Sequence, residues 1–272
     1  MLRDTIDRVR WFPTFLFLMG CAGALSLCGC PNVAVGGGGD TIPIENAKVS
    51  NAIHRETIPL KEAKLNIEHN ATDEDTGFQG FIDSEGWKRL DITGPNGVVF
   101  AFEGRGELGT LGLTELFFET VEPENAEVPI EDMLALLPEG NYTIRGPTVD
   151  GGQTVGTALL THDIPAGPVL LSPAEGDTVP TRNLVMSWSP VTQTITGESV
   201  TIVSYQLIVE KDELPHPHAI GKRAMSIYVP PSVTSVTVPN EFLEPGTLYK
   251  WEVLAIEESG NQTLSSSEFT TR

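Results

Sequence analysis

Basic residues are scarce. The chain of 272 residues carries 17 Lys+Arg against 37 Asp+Glu, a formal net charge of −20. So negative a surface repels phosphates, which argues against a nucleic-acid binder. Cysteine is scarcer still: Cys21, Cys28 and Cys30 all precede residue 31. The rest of the chain can make no internal disulfide, no cysteine-based metal site and no cysteine nucleophile. After residue 30 no apolar run approaches the ~20 residues of a membrane-spanning helix. There is no Gly-x-Ser-x-Gly and no glycine-rich loop leading into a helix, so neither that type of hydrolase nor a phosphate cradle is expected. What the chain does have is length enough for a buried core in one or two domains. Its 27 Gly and 20 Pro suit a turn-rich globular protein.

The N-terminus reads as an address. Residues 1–10 hold Arg3, Arg8 and Arg10 beside Asp4 and Asp7, and residues 11–29 carry no charge. A basic start followed by an apolar stretch is a secretory signal. Its length also admits a membrane span, against which stand Pro13 and the small residues near its end. The stretch closes on Leu27-Cys28-Gly29-Cys30. This resembles a bacterial lipobox, which implies cleavage before Cys30 and acylation of its thiol, palmitate being one such chain. Cys28 inside the box departs from the usual small residue. Cys21, after Leu18-Met19-Gly20, fits the spacing but leaves a short apolar region. An uncleaved anchor or a plain signal is the alternative. Residues 1–29 are thus expected to be a signal peptide and 30–59 a tether with an ambiguous segment. Gly36-Gly37-Gly38-Gly39 makes the tether flexible, and a short helix near 45–55 is possible from the pattern.

Residues 167–272 read as seven short strands between turns, which implies a two-sheet sandwich. Leu184, Met186 and Trp188 share one face of a strand, as do Tyr205, Leu207 and Val209. Leu243-Glu244-Pro245-Gly246-Thr247-Leu248-Tyr249 leads into the strand from Tyr249 to Ile256. With Trp188 and Tyr205, this stretch resembles a fibronectin type III domain. The resemblance implies structural roles for Leu243, Pro245 and Trp188, and a tyrosine corner at Tyr249. The charged, proline-containing segment 214–223 departs from it, and no Arg-Gly-Asp implies integrin binding.

Residues 60–165 are expected to form a second, Ig-like sandwich. Leu90 and Ile92 precede a hairpin turn at Gly94-Pro95-Asn96-Gly97, from which Val98 to Phe102 returns. Residues 129–137 suit a short helix with Pro at its start. Leu137-Pro138-Glu139-Gly140-Asn141-Tyr142 echoes the segment before Tyr249: both read Leu-x-Pro-x-x-x-Tyr, counted from Leu136 and Leu243. Each follows a Val-Pro pair, which suggests a tandem repeat and a structural role for Tyr142. Thr154 to Leu160 is the expected last strand. The linker Asp163-Ile164-Pro165-Ala166-Gly167-Pro168 is short and proline-rich, so the bodies should lie end to end with limited bending. The expected fold class is all-β: two tandem Ig-like or fibronectin type III-like sandwiches after a signal peptide and glycine-rich tether.

Candidate chemistry is thin. Asp73, Asp75 and Asp83 offer weak calcium ligands, but the spacing to Gly77 breaks the EF-hand pattern. His216 and His218 form a pair with no third ligand nearby. Strand carboxylates such as Glu68 and Glu252 fall at alternating, outward positions and read as solubilising charge. No catalytic residue, metal or cofactor is expected. The expected protein is a non-catalytic binding or spacer lipoprotein, membrane-anchored in the bacterial cell envelope, with the outer membrane the first expectation. Its partners would be membrane lipid through acylated Cys30 and a protein or polysaccharide ligand, presented by segments 73–85 and 210–222. The alternative is a component of a surface carbohydrate hydrolase.

Overall fold

The computed structural model describes residues 56–219 and 222–272. Cys30, the glycine tether and the segment 45–55 lie outside these residues. The first half runs β1 (Thr57–Pro59), β2 (Glu62–Asn70), β3 (Asp75–Trp87), β4 (Arg89–Gly94), β5 (Gly97–Glu103), α1 (Gly106–Leu111), β6 (Leu113–Glu119), α2 (Ile130–Leu136), β7 (Gly140–Pro147) and β8 (Gln153–Leu160). The second half runs β9 (Leu170–Ser172), β10 (Asp177–Val179), β11 (Val185–Trp188), β12 (Ile202–Lys211), β13 (Ala224–Val229), β14 (Ser235–Thr237), β15 (Leu248–Glu257) and β16 (Gln262–Thr271). Among the described residues, no helix is long and apolar enough to cross a membrane.

Period-2 alternation places one side of each strand in a core. Two cores result. One gathers Leu65, Ile67, Phe78, Ile82, Trp87, Leu90, Tyr142 and Ile144. The other gathers Met186, Trp188, Tyr205, Leu207, Val209, Tyr249, Trp251 and Phe269. Around the second, β14-β11-β9 faces β13-β12-β15-β16, a fibronectin type III-like sandwich. Around the first, β6-β3-β2 faces β5-β4-β7-β8, with β1 added beyond β8. The strand order is the same, so the two halves repeat one topology. Trp87 ends β3 as Trp188 ends β11, and Tyr142 and Tyr249 enter β7 and β15 at matching places. Neither α1 nor β6 is among the elements expected from the sequence. The supposed acidic loop 73–85 is mostly strand β3.

The two tyrosines close matching corners. Tyr249 Oη accepts from the Glu244 N–H at 2.8 Å and donates to the Phe242 carbonyl at 3.3 Å. Tyr142 Oη donates to the Pro138 carbonyl at 2.7 Å. Tyr249→Phe should therefore cost about 1–2 kcal/mol and Tyr142→Phe about 1 kcal/mol. Urea unfolding should show a lower midpoint with an unchanged slope in each; equal, near-zero losses would mean the corners are ornamental.

The sheets do not stop at the domain boundary. β16 pairs with β2 in parallel for three residues, Gln262 with Glu68, Thr263 with His69 and Leu264 with Asn70. One sheet then runs β13-β12-β15-β16-β2-β3-β6. Edge strands expose unpaired N–H and C=O groups, and here each sandwich satisfies an edge of the other. The linker is folded into this junction: a Cβ on Gly167 would meet Ala71 Cβ at 2.5 Å and Ser265 Oγ at 2.8 Å. Thr263 Oγ1 donates to the Pro165 carbonyl at 2.5 Å.

Candidate functional site

Joining the sheets creates a broad face turned away from both cores. Register places Glu68 in one row with Gln262, and Gln79 in one row with Asn66 and Glu119. In the same face, Ile208, Leu254 and Leu264 form a small buried apolar cluster. The charge of Glu68 raises the pKa of Tyr228 on β13, after burial as the larger cause.

Glu68 is 2% exposed, so its reading as solubilising charge is wrong. Gln262 Nε2 donates to Glu68 Oε2 and, at 3.1 Å, to Gln79 Oε1. Gln79 Nε2 donates to Glu119 Oε1 at 2.7 Å. Oxygens of Glu68, Glu119 and Glu122 lie within 4.8 Å of one another. Burial, then the neighbouring charge of Glu119, push Glu68 up to about 8, against the opposing bonds from Gln262 and Gln79. Burial also raises Glu119, opposed by its bond from Gln79. Carboxylates at such spacing can enclose a metal ion. Here, however, two amide N–H donors already point at Glu68 and Glu119, and a donor hydrogen opposes a cation. Burial and like charge favour the protonated form of Glu68, while the amide donors favour ionisation.

The proposed calcium ligands are not brought together. Asp73 lies in an exposed turn, where Asn70 Nδ2 donates to its Oδ2 at 3.0 Å. Asp75 begins β3 and Asp83 lies eight residues along the same strand, about 27 Å away at strand rise. Asp83 instead faces Lys61 at 3.8 Å. The His216 and His218 rings lie 5.6 Å apart, tilted by 54°, in an exposed segment. Trp188 packs edge-on against Tyr205 at 5.6 Å, Leu243 is buried beside Tyr249, and Pro245 is exposed in the turn before it.

The base of segment 210–222 is tied down by charge. Arg223 meets Glu213 at 2.8 Å and Glu244 at 2.7 Å, and Lys211 meets Glu244 at 2.6 Å. Hydrogen bonds from Arg223, and then Lys211, hold Glu213 down at about 2. The network is solvent-facing and screened by salt, so it orients the segment more than it stabilises the fold.

Sequence reasoning missed a second site. Asn261 is wholly buried. Its Oδ1 accepts from the Ile67 N–H at 2.9 Å, and its Nδ2 donates to Thr161 O and Oγ1, both at 3.0 Å. Asn261 matches a glycosylation pattern, Asn-x-Thr, but its amide is fully used inside the junction and is closed to a glycan in the folded chain.

No protein-family model matches the chain, and no curated protein matches it. One solved structure similar to it holds the FN1–FN3 domains of chicken CNTN1, at 12% identity and a TM-score of 0.29, covering 78% of this chain and 64% of that one. The chain thus spans less than two thirds of that structure. The strand order described above identifies the sandwich type.

Proposed function

We propose that this chain is a lipid-anchored protein of the bacterial cell envelope, attached through acylated Cys30, that acts without turnover as a spacer or binding module. The observation that carries the reading is Leu27-Cys28-Gly29-Cys30 followed, after residues 31–35, by the glycine tether Gly36-Gly37-Gly38-Gly39. More than one acyl chain is needed for stable anchoring, and a flexible tether lets a folded body stand off the bilayer. The continuous sheet favours the spacer role, because two sandwiches joined through backbone hydrogen bonds keep a fixed geometry where a bare linker would not. The best surface for a partner is segment 210–222, held by the Arg223 network; segment 73–85 loses its claim as a loop because it is largely strand. A protein or polysaccharide is the partner class that loops of such sandwiches suit.

The hydrolase alternative draws no support from Glu68. Its chemistry needs two accessible carboxyl groups flanking a sugar, whereas Glu68 is buried and bonded to Gln262. The test is metabolic labelling with a fatty-acid probe in a bacterial host. The wild-type chain should incorporate label and Cys30→Ser should incorporate none, with the unprocessed precursor accumulating. Label retained by Cys30→Ser would sink the assignment.

A further inference from the structure

We propose that Glu68 is a proton-controlled latch across the junction of the two sandwiches: while its carboxyl holds a proton the sheet is continuous through β16 and β2, and losing that proton loosens the junction. Glu68 stands at the first of the three paired positions that join these strands. Its partner Gln262 comes from the other sandwich, and the same amide reaches Gln79 on β3. The latch residue therefore touches the only stretch of backbone pairing between β2 and β16.

The surroundings oppose a negative charge at this point. Glu119 on β6 and Glu122 just after it bring carboxylate oxygens within 4.8 Å. Glu252 on β15 adds a further like charge, and the Tyr228 phenol on β13 lies in reach of the same field. Gln79 and Gln262, which bond to this site, are neutral, and burial lowers the pKa of His69, the next residue on β2 and the partner of Thr263. The Lys250 ammonium of this face is engaged with Glu252 at 2.8 Å. Like charges this close in a low-dielectric site cannot all ionise, and the most buried member keeps the proton.

The sign follows from linkage. Burial, then the charge of Glu119, push folded Glu68 up to about 8 from an ordinary value of 4.5. Between those values the folded state holds one proton more than the unfolded state, so stability falls as pH rises through the interval. Below it the latch is fully closed, and above it the loss is complete.

The test is amide hydrogen exchange on the full chain from about pH 6 to about pH 9, expressed as protection factors so that the intrinsic rate drops out. The reporters are the N–H groups of Ile67, Ala71 and Ser266, which bond across the junction to Asn261, Leu264 and Thr72. Their protection should fall about tenfold or more relative to amides in the two cores, and Glu68→Gln should abolish the fall. No fall in the wild type, or an equal fall in Glu68→Gln, overturns the proposal. Should Glu68→Gln fail to fold, the carboxyl carbon of Glu68 in the wild type is followed by NMR. Its midpoint must fall where the loss of junction protection levels off; a midpoint in the ordinary carboxylate range overturns the latch. The series is repeated at fixed pH with calcium and with chelator, and a junction governed by calcium instead of by pH also overturns it.

Discussion

Asn261→Ala should melt about 10 °C below the wild type, a loss of about 3–5 kcal/mol. The side chain is wholly buried and uses both ends. Alanine leaves the Ile67 N–H without its acceptor and takes away the donor to Thr161. Each orphaned group costs about 1–3 kcal/mol when water cannot reach it. The contacts bridge residues 194 and 100 positions apart, so the loss falls on the junction and not on either core. Calorimetry should then resolve two transitions where the wild type shows one. A single transition shifted by less than about 1 kcal/mol would mean that water replaces the amide without penalty.

Gly146→Ala should be as damaging for a different reason. A Cβ at that position would sit 1.7 Å from the Arg89 carbonyl oxygen and 2.7 Å from its carbon. Both atoms are backbone, so no rotamer change relieves the clash. β4 and β7 would have to separate where Asp91 pairs with Arg145. A cost of about 3 kcal/mol or more is expected. Gly156→Ala is the contrast: its new methyl would meet only the Leu60 side chain, Cδ1 at 2.6 Å, which rotation relieves, and Cβ at 2.9 Å, which needs a small shift. Its cost should be smaller, about 1–3 kcal/mol. Denaturant midpoints of the two variants compare them directly, and equal losses would contradict the backbone argument.

The junction adds a pH dependence to these mutational effects. Deprotonation of Glu68 already loosens the strand pair that Asn261 crosses, so Asn261→Ala should cost less at about pH 9 than at about pH 5. The two sites are close enough in the fold for their effects to couple.

Much of the fold was readable along the chain because its signals are local. Leu243, Pro245 and Tyr249 mark a loop-to-strand corner within seven residues. The turn at Gly94-Pro95-Asn96-Gly97 does form the hairpin between β4 and β5. The helix expected at 129–137 is α2, with Pro129 just before its first residue. β6 escaped notice because Leu113-Thr114-Glu115-Leu116-Phe117-Phe118-Glu119 does not alternate cleanly. β3 was mistaken in part for a loop because its glycines and acids have low strand propensity. Two of those glycines are there for space: a Cβ on Gly80 would sit 2.3 Å from the Phe118 ring, and one on Gly77 would sit 2.6 Å from Glu122 Cγ.

By itself, the sequence determined most of the strands, their inward faces and the repeated corner tyrosines, since a two-residue period and a turn are properties of neighbouring residues. Only the tertiary structure decided what lies beyond the outward face. Alternation says that Glu68 points away from its own core, but not that Gln262, 194 residues later, will close over it. A carboxyl group's protonation follows from the dielectric and charges within a few ångströms, and here folding brings those charges in from other strands.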